Sequence, residues 1–450
     1  MKPFDRLVLI IILALIVLIA GIFLLGDRVG VQILAVYPSE GNPISINESI
    51  GITFDHDMDS ESVLSGFSIE PPITGDLSWE DNTLWFSPIE PLDPAIEYQV
   101  SIASGVRAEN NRELIEPFTF TVQIREPDLL FLVLDDLGGD IWRYEFGTGQ
   151  TQPLTDTNSQ VIDYTPDPIG SQIVFSQQNE LGGSDLWVID RDGQDVRILL
   201  DCEQDRCSQP DWSPNGEWIA YSREVYEPRE NRYDLPRVWT IHVETTETAA
   251  LYDFGDAYGH TPSFSPDGRL MATYDLNLHA IRILDLDTSE ESVIPTTMAG
   301  VGDWSPDGQA MIFIDQVQAA LEPNVGVYIV DFIEKDVYQA FGEFIPDIDF
   351  SQPRWSPDGE WVAVSLRPVG AGISKAIWLN SLDGREAYSL TDDPSATFSA
   401  YRWDPWGNRL VYQRFSLSGG GQHPQLYLWD RTTNTSVLLL ETGARPEWLP

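Results

Sequence analysis

One short pattern recurs along this chain and restricts its fold more than any other feature. It reads Asp211-Trp212-Ser213-Pro214-Asn215-Gly216, then Ser263-Phe264-Ser265-Pro266-Asp267-Gly268, Asp303-Trp304-Ser305-Pro306-Asp307-Gly308 and Arg354-Trp355-Ser356-Pro357-Asp358-Gly359. Weaker copies are Asp163-Tyr164-Thr165-Pro166-Asp167-Pro168 and Arg402-Trp403-Asp404-Pro405-Trp406-Gly407. The aromatic anchors at 164, 212, 264, 304, 355 and 403 stand 48, 52, 40, 51 and 48 residues apart. In each copy a strand ends on an aromatic, and Pro-Asp-Gly turns the chain into an apolar second strand such as Trp218–Tyr221. A third strand of the kind Asp185–Asp190 and a short turn, Arg191-Asp192-Gly193, lead to a fourth. Each repeat is therefore one four-stranded sheet that needs neighbours to bury its faces.

The ends of the repeat region carry further information. It opens at Leu129–Val133 with no inner strand before it, and Arg445-Pro446-Glu447-Trp448 reads as an inner strand without its own sheet, 45 residues after Trp403. The last strand is expected to complete the first sheet and remove the free edges. The count is seven blades, with six as the alternative. The pattern resembles the TolB-type, WD-like β-propeller repeat over residues 129–450.

Residues 32–125 show short alternating runs between turn residues, among them Gly51–Phe54, Asp76–Trp79, Thr83–Phe86 and Phe118–Val122. About seven such strands predict a β-sandwich. Val36-Tyr37-Pro38-Ser39-Glu40-Gly41, Thr53–Asp59 and Phe118–Thr121 resemble the bacterial Ig-like domain of surface-layer proteins, which implies a spacer or adhesion module. Asp55, His56, Asp57 and Asp59 cluster there, but no further ligand follows at a fixed spacing. Solvated polar residues around an inward Met58 are expected rather than a metal centre.

Ahead of the sandwich, Leu7–Leu25 is uninterrupted apolar sequence, and nineteen helical residues span about 29 Å, enough for a bilayer core. Lys2 and Arg6 precede it and only Arg28 follows closely, which places the N-terminus in the cytoplasm and everything after residue 28 outside. Residues 1–28 are read as a single-pass membrane anchor. The formal net charge of -45, with lysine only at 2, 335 and 375, excludes nucleic acid as a partner. Cys202 and Cys207 are the only cysteines; outside the cytoplasm they are expected to form a disulfide.

No nucleophile elbow, phosphate loop or zinc-protease motif occurs. Ser418–Gly421 precedes no helix, and Asp190–Asp195 fits a hairpin turn better than a calcium loop. No cofactor, metal or catalytic set is expected, nor a hydrolase domain after the closing strand, and the chain is read as not an enzyme. The long connections, Glu224–Leu235, Gln316–Val325, Pro368–Ser374, Leu417–Pro424, Cys202–Cys207 and Gly342–Ser351, fall at one end of the sheets. Binding is expected on that face, at the channel mouth. The residue before each anchor gives Asp163, Asp211, Ser263, Asp303, Arg354, Arg402 and Glu447, a ring of split sign suited to a peptide or sugar acid, or paired between blades. His260 precedes one inner strand. The resulting expectation is an all-β, membrane-anchored extracytoplasmic binding or scaffold protein engaging an envelope or secreted protein, peptide or glycan. The alternatives are a polyuronide-lyase-like enzyme using His260 and a surface-layer structural protein.

Overall fold

The computed structural model describes residues 11–19, 30–135, 138–252, 257–316, 325–341, 348–368, 370, 372–417 and 423–450. They form two compact units, Met1–Glu126 and Pro127–Pro450. Residues 11–19 are helical with exposed apolar side chains. No helix among the described residues is long and apolar enough to cross a membrane. The rest of the expected anchor, residues 1–10 and 20–28, lies outside the described residues.

In the first unit a four-stranded sheet runs Ile33–Tyr37, Ile50–Phe54, Thr83–Pro88, Gly75–Glu80, and a three-stranded sheet runs Phe67–Glu70, Tyr98–Ile102, Phe118–Val122. Alternation does the sorting: Tyr98, Val100 and Ile102 are buried while Gln99 between them is exposed. Ile52, Phe54 and Leu84 are buried on the first sheet, and the rings of Phe67 and Phe86, 5.8 Å apart, join the two sheets. The acidic cluster is spent locally. The Asp59 carboxylate accepts the Ser62 amide at 3.1 Å and caps the short helix Ser60–Gly66. His56 sits 2.7 Å from Asp55 and 3.0 Å from the Arg112 guanidinium, and Met58 is buried.

The second unit is built from four-stranded antiparallel meanders. Three lie in one twelve-stranded sheet: Ala444–Leu449 with Asp128–Leu134, Gly139–Glu145 and Gln150–Pro153; Val161–Pro166 through Arg197–Leu200; and Arg206–Trp212 through Thr248–Ala250. Single bridges, Val161 to Gly139 and Ser184 to Arg206, merge them. Four further sheets begin at Gly259–Phe264, Asp303–Trp304, Ile348–Trp355 and Ala396–Trp403. We number these groups blades 1 to 7 in that order. The second strand of blade 4, Leu270–Asp275, is buried at every residue.

The repeat's letters have separate jobs. The serine hydroxyl donates to the turn Asp or Asn (Ser305 to Asp307, 2.6 Å; Ser213 to Asn215, 2.6 Å) and accepts the amide that starts the next strand (Ala310 to Ser305, 2.8 Å; Trp218 to Ser213, 3.0 Å). The glycine takes a left-handed φ of 73° at Gly216 and Gly268 and 69° at Gly308, which a Cβ would strain. Three anchor tryptophans donate the indole N–H to the preceding blade: Trp212 to Thr165 O at 3.2 Å, Trp304 to Ser263 Oγ at 3.2 Å and Trp403 to Arg354 O at 3.4 Å. Trp355 instead donates to Gly359 O of its own turn at 3.3 Å. Trp448 makes the inter-blade contact, with Arg402 O at 3.4 Å. Its strand pairs antiparallel with Asp128–Leu134, from Ala444 opposite Leu132 to Leu449 opposite Asp128. Arg191, buried, ties this junction by donating to Asp128 at 2.7 Å, Pro450 O at 2.6 Å and Gly170 O at 3.0 Å.

Candidate functional site

The inner strands do not run straight to their anchors. Register shifts interrupt the pairing just before the anchor in Arg206–Trp212, Gly259–Phe264, Ile348–Trp355, Ala396–Trp403 and Ala444–Leu449. Three residues before each of these anchors, a non-glycine residue holds a left-handed backbone: Gln209 (φ 54°), Thr261 (55°), Gln352 (52°), Ala400 (46°) and Arg445 (48°). Such conformations cost about 1 to 3 kcal/mol each and persist only where the surroundings enforce them. Proline follows in four cases, at 210, 262, 353 and 446. Bulges of this kind re-aim side chains at the rim of a channel.

These kinked segments converge on one cavity of about 360 Å³. Its lining includes Asp163, Gln209, Asp211, Thr261, Arg354, Tyr401, Arg402, Arg445 and Glu447, drawn from six of the blades. Polar contacts between blades fix the wall. The Gln209 amide oxygen accepts from Ser222 Oγ at 2.9 Å and from the Thr261 amide at 3.0 Å. Tyr401 donates to the carbonyls of Gln352 and, at 3.2 Å, Ser351, and Tyr164 donates to the carbonyl of Arg445. Burial pushes both tyrosines well above the ordinary phenol range, so they act as fixed donors.

The charged ring resolves into pairs. Arg354 meets Asp303 at 2.7 Å, Arg402 meets Glu447 at 2.5 Å and Arg445 meets Asp163 at 3.0 Å, each across a blade boundary. Asp211 has no such partner; its Oδ2 accepts the Phe264 amide at 2.8 Å. Burial, with Glu447 adding repulsion, pushes its pKa to about 7. Of the residues expected at the channel, Asp163, Asp211, Arg354 and Arg402 line the cavity, and Asp303 stands behind Arg354. His260 is not among the lining residues. It contacts Thr261 and the ring of Tyr274, 5.5 Å away, and burial lowers its pKa. Sequence reading did not assign Arg445, Gln209, Gln352 and Tyr401 to the site, although a residue-proline pair before four of the anchors was a visible signal.

On the expected binding face, much of four long connections (317–324, 342–347, 369, 371 and 418–422) lies outside the described residues. Glu224–Leu235 carries a small hairpin, Tyr226–Glu227 with Arg232–Tyr233. The Arg206 guanidinium lies 3.7 Å over the Tyr233 ring. Cys202 and Cys207 are joined by a disulfide, with Ser176 and Ser184 donating to the Cys207 carbonyl at 2.7 and 2.8 Å. Asp190 accepts the Gln194 amide at 2.6 Å, closing a turn. Among the described residues no group of three or more His, Cys, Asp or Glu is placed to hold a metal.

Residues 27–122 match the model of the bacterial Ig-like domain. An uncharacterised protein of Agrobacterium fabrum is 24% identical over 266 residues, 56% of this chain and 87% of that protein. A Tricorn-like protease C-terminal subunit of Sulfurisphaera tokodaii is 27% identical over 201 residues, 45% of this chain but only 20% of the protease. Among solved structures, a puromycin-hydrolysing peptidase of Mycobacterium tuberculosis superposes with a TM-score of 0.52 at 15% identity, covering 72% of this chain and 54% of that one. TolB of Acinetobacter baumannii gives a TM-score of 0.43 at 19% identity, covering 71% and 81%. These likenesses correct one expectation. The absence of a familiar motif was read as the absence of catalysis, yet 201 residues of the chain align with a protease subunit and the fold is shared with a peptidase. A propeller carries chemistry in its loops and channel rather than in a fixed sequence motif. The chain therefore carries a bacterial Ig-like domain over residues 27–122, followed by a unit of four-stranded antiparallel meanders.

Proposed function

We propose that the second unit is a closed seven-bladed propeller, carried outside the membrane on the N-terminal anchor, and that its channel cavity seats a ligand presented by an envelope or secreted partner. One observation carries the reading. Five strained, left-handed residues from separate blades, with three inter-blade ion pairs, meet around a single cavity of about 360 Å³. Strain repeated at equivalent places and directed at one space is an attribute of a site more than of a scaffold. Closure is supported by the strand Ala444–Leu449, which completes blade 1 and repeats the indole contact on blade 7. An extracytoplasmic setting is supported by the disulfide and by the apolar run Leu7–Leu25.

The test uses the full chain on an array of peptides and glycans, beside an Ala400→Trp variant. Ala400 lines the cavity and already holds a left-handed φ, so the indole fills space without removing a charge. Capture by the native chain and its loss in a folded Ala400→Trp variant are expected. Equal capture by both would place binding elsewhere and overturn the reading.

A further inference from the structure

The charges around the cavity do not balance. Asp163, Asp211 and Glu447 on the wall, with Asp303 behind it, meet Arg354, Arg402 and Arg445, and every arginine is already engaged by one carboxylate. Asp211 is the surplus. Among the described residues no guanidinium, ammonium or imidazole reaches it, and its bond to the Phe264 amide uses one oxygen. The charged groups sharing its cavity are Glu447 on the closing strand, Asp163 on blade 2, Arg402 on blade 7, Arg354 on blade 6 and Arg445 beside the closing anchor. A carboxylate entering the cavity would have to displace an acid from a short charge-assisted pair. A cation meets a carboxylate that has no competitor. The remaining wall suits the body of such a ligand: Pro210, Pro262 and Pro446 lack an N–H and present apolar rings, and Ala400 and the tyrosines line the rest.

We propose that the ligand held in the channel carries a primary ammonium group that pairs with Asp211, with its aliphatic part against the prolines and Tyr401. The assignment rests on the cavity being the ligand site. It deepens that reading by naming the chemistry: a buried cation requires a partner, and among the described residues of the cavity wall Asp211 alone is a carboxylate not already paired with a cation. Burial keeps the Asp211 proton on up to about pH 7, so binding at neutral pH releases a proton to solvent.

The full chain is titrated calorimetrically with n-butylammonium, n-butyrate and n-butanol in about 0.15 M salt, which screens the acidic surface. n-Butylammonium binds at about pH 8.5 and about thirtyfold more weakly at about pH 5.5, the ratio of ionised Asp211 at the two values. Asp211→Asn keeps an oxygen for the Phe264 amide and lowers the affinity at least tenfold, as does Ala400→Trp, with both variants checked for an unchanged melting transition. Equal binding by Asp211→Asn, or n-butanol binding as well as the amine, overturns the proposal. A preference for n-butyrate lost in Ala400→Trp overturns it while leaving the cavity reading standing. Failure of all three probes overturns the amine assignment, while the cavity reading is decided by array capture and its loss in Ala400→Trp.

Discussion

Replacing Arg191 by methionine isolates the chemistry that joins the two ends of the propeller unit. Arg191 donates to Asp128 on blade 1, to the Pro450 carbonyl at the closing strand and to Gly170 on blade 2. Asp128 is buried; its other cation, Arg143, stands at 3.8 Å. Methionine preserves most of the volume but leaves the carboxylate without its close partner and removes the Arg191 donation to two carbonyls. Breaking a buried pair in this way costs about 3 to 5 kcal/mol. At about 2.1 cal/mol/K per residue, a unit of this size loses about 4 to 7 °C in Tm. The pH dependence has a definite sign. Burial already holds the Asp128 pKa above the ordinary carboxylate value despite both arginines. A raised acid disfavours the folded state once pH exceeds the unfolded pKa, and removing Arg191 raises it further. The deficit is therefore largest near neutral pH and shrinks toward about pH 4, where Asp128 is protonated. Asp128→Asn in the same chain recovers part of the loss. Calorimetry of the variants between those values is the assay. An unchanged Tm at neutral pH, or a deficit that grows with acid, would refute the argument.

Other outcomes follow from the same contacts. Gly170→Ala sets a Cβ 2.1 Å from the Pro450 carbonyl oxygen at a left-handed φ of 63°, and is expected to cost about 2 kcal/mol or more in urea midpoints. Cys202→Ser with Cys207→Ser opens a loop of sequence separation 5 and removes about 2 kcal/mol, read by chemical denaturation. If the chain faces outward as proposed, protease added to intact cells removes the second unit, whereas protection of the unit until the cells are lysed would contradict that orientation. Asp59→Ala removes the cap on Ser60–Gly66 and lowers the stability of the first unit by about 1 kcal/mol.

The parts of this fold that repeat were readable from sequence, because repetition turns a weak local signal into a strong one. Trp212, Trp304 and Trp403 were placed at strand ends by spacing alone, and Trp448 was assigned to the first blade because it fell in register with them. The Ser-Pro-Asp-Gly turn was equally plain, since its hydrogen bonds are local. The site was only half legible. The residue before each anchor pointed to Asp163, Asp211, Arg354 and Arg402, but Arg445 sits three places before its anchor and reaches Asp163 only because the strand is kinked there. Gln209, Thr261, Gln352, Ala400 and Arg445 have no single side-chain chemistry common to all five, so their shared backbone conformation was hidden. His260 drew attention by its place at an inner strand, with a satisfied or solvated histidine as the preferred reading, and its ring packs against Tyr274 rather than lining the cavity.

The central claim, that ligand is held where the kinked inner strands converge, is tested most directly by a crystal structure of the full chain with whichever array ligand it captures. The account predicts density inside the channel, in contact with Asp211 and bounded by Arg354, Arg402 and Glu447. A ligand seated on the outer strands or on the loop surface, with the channel unoccupied, would contradict it.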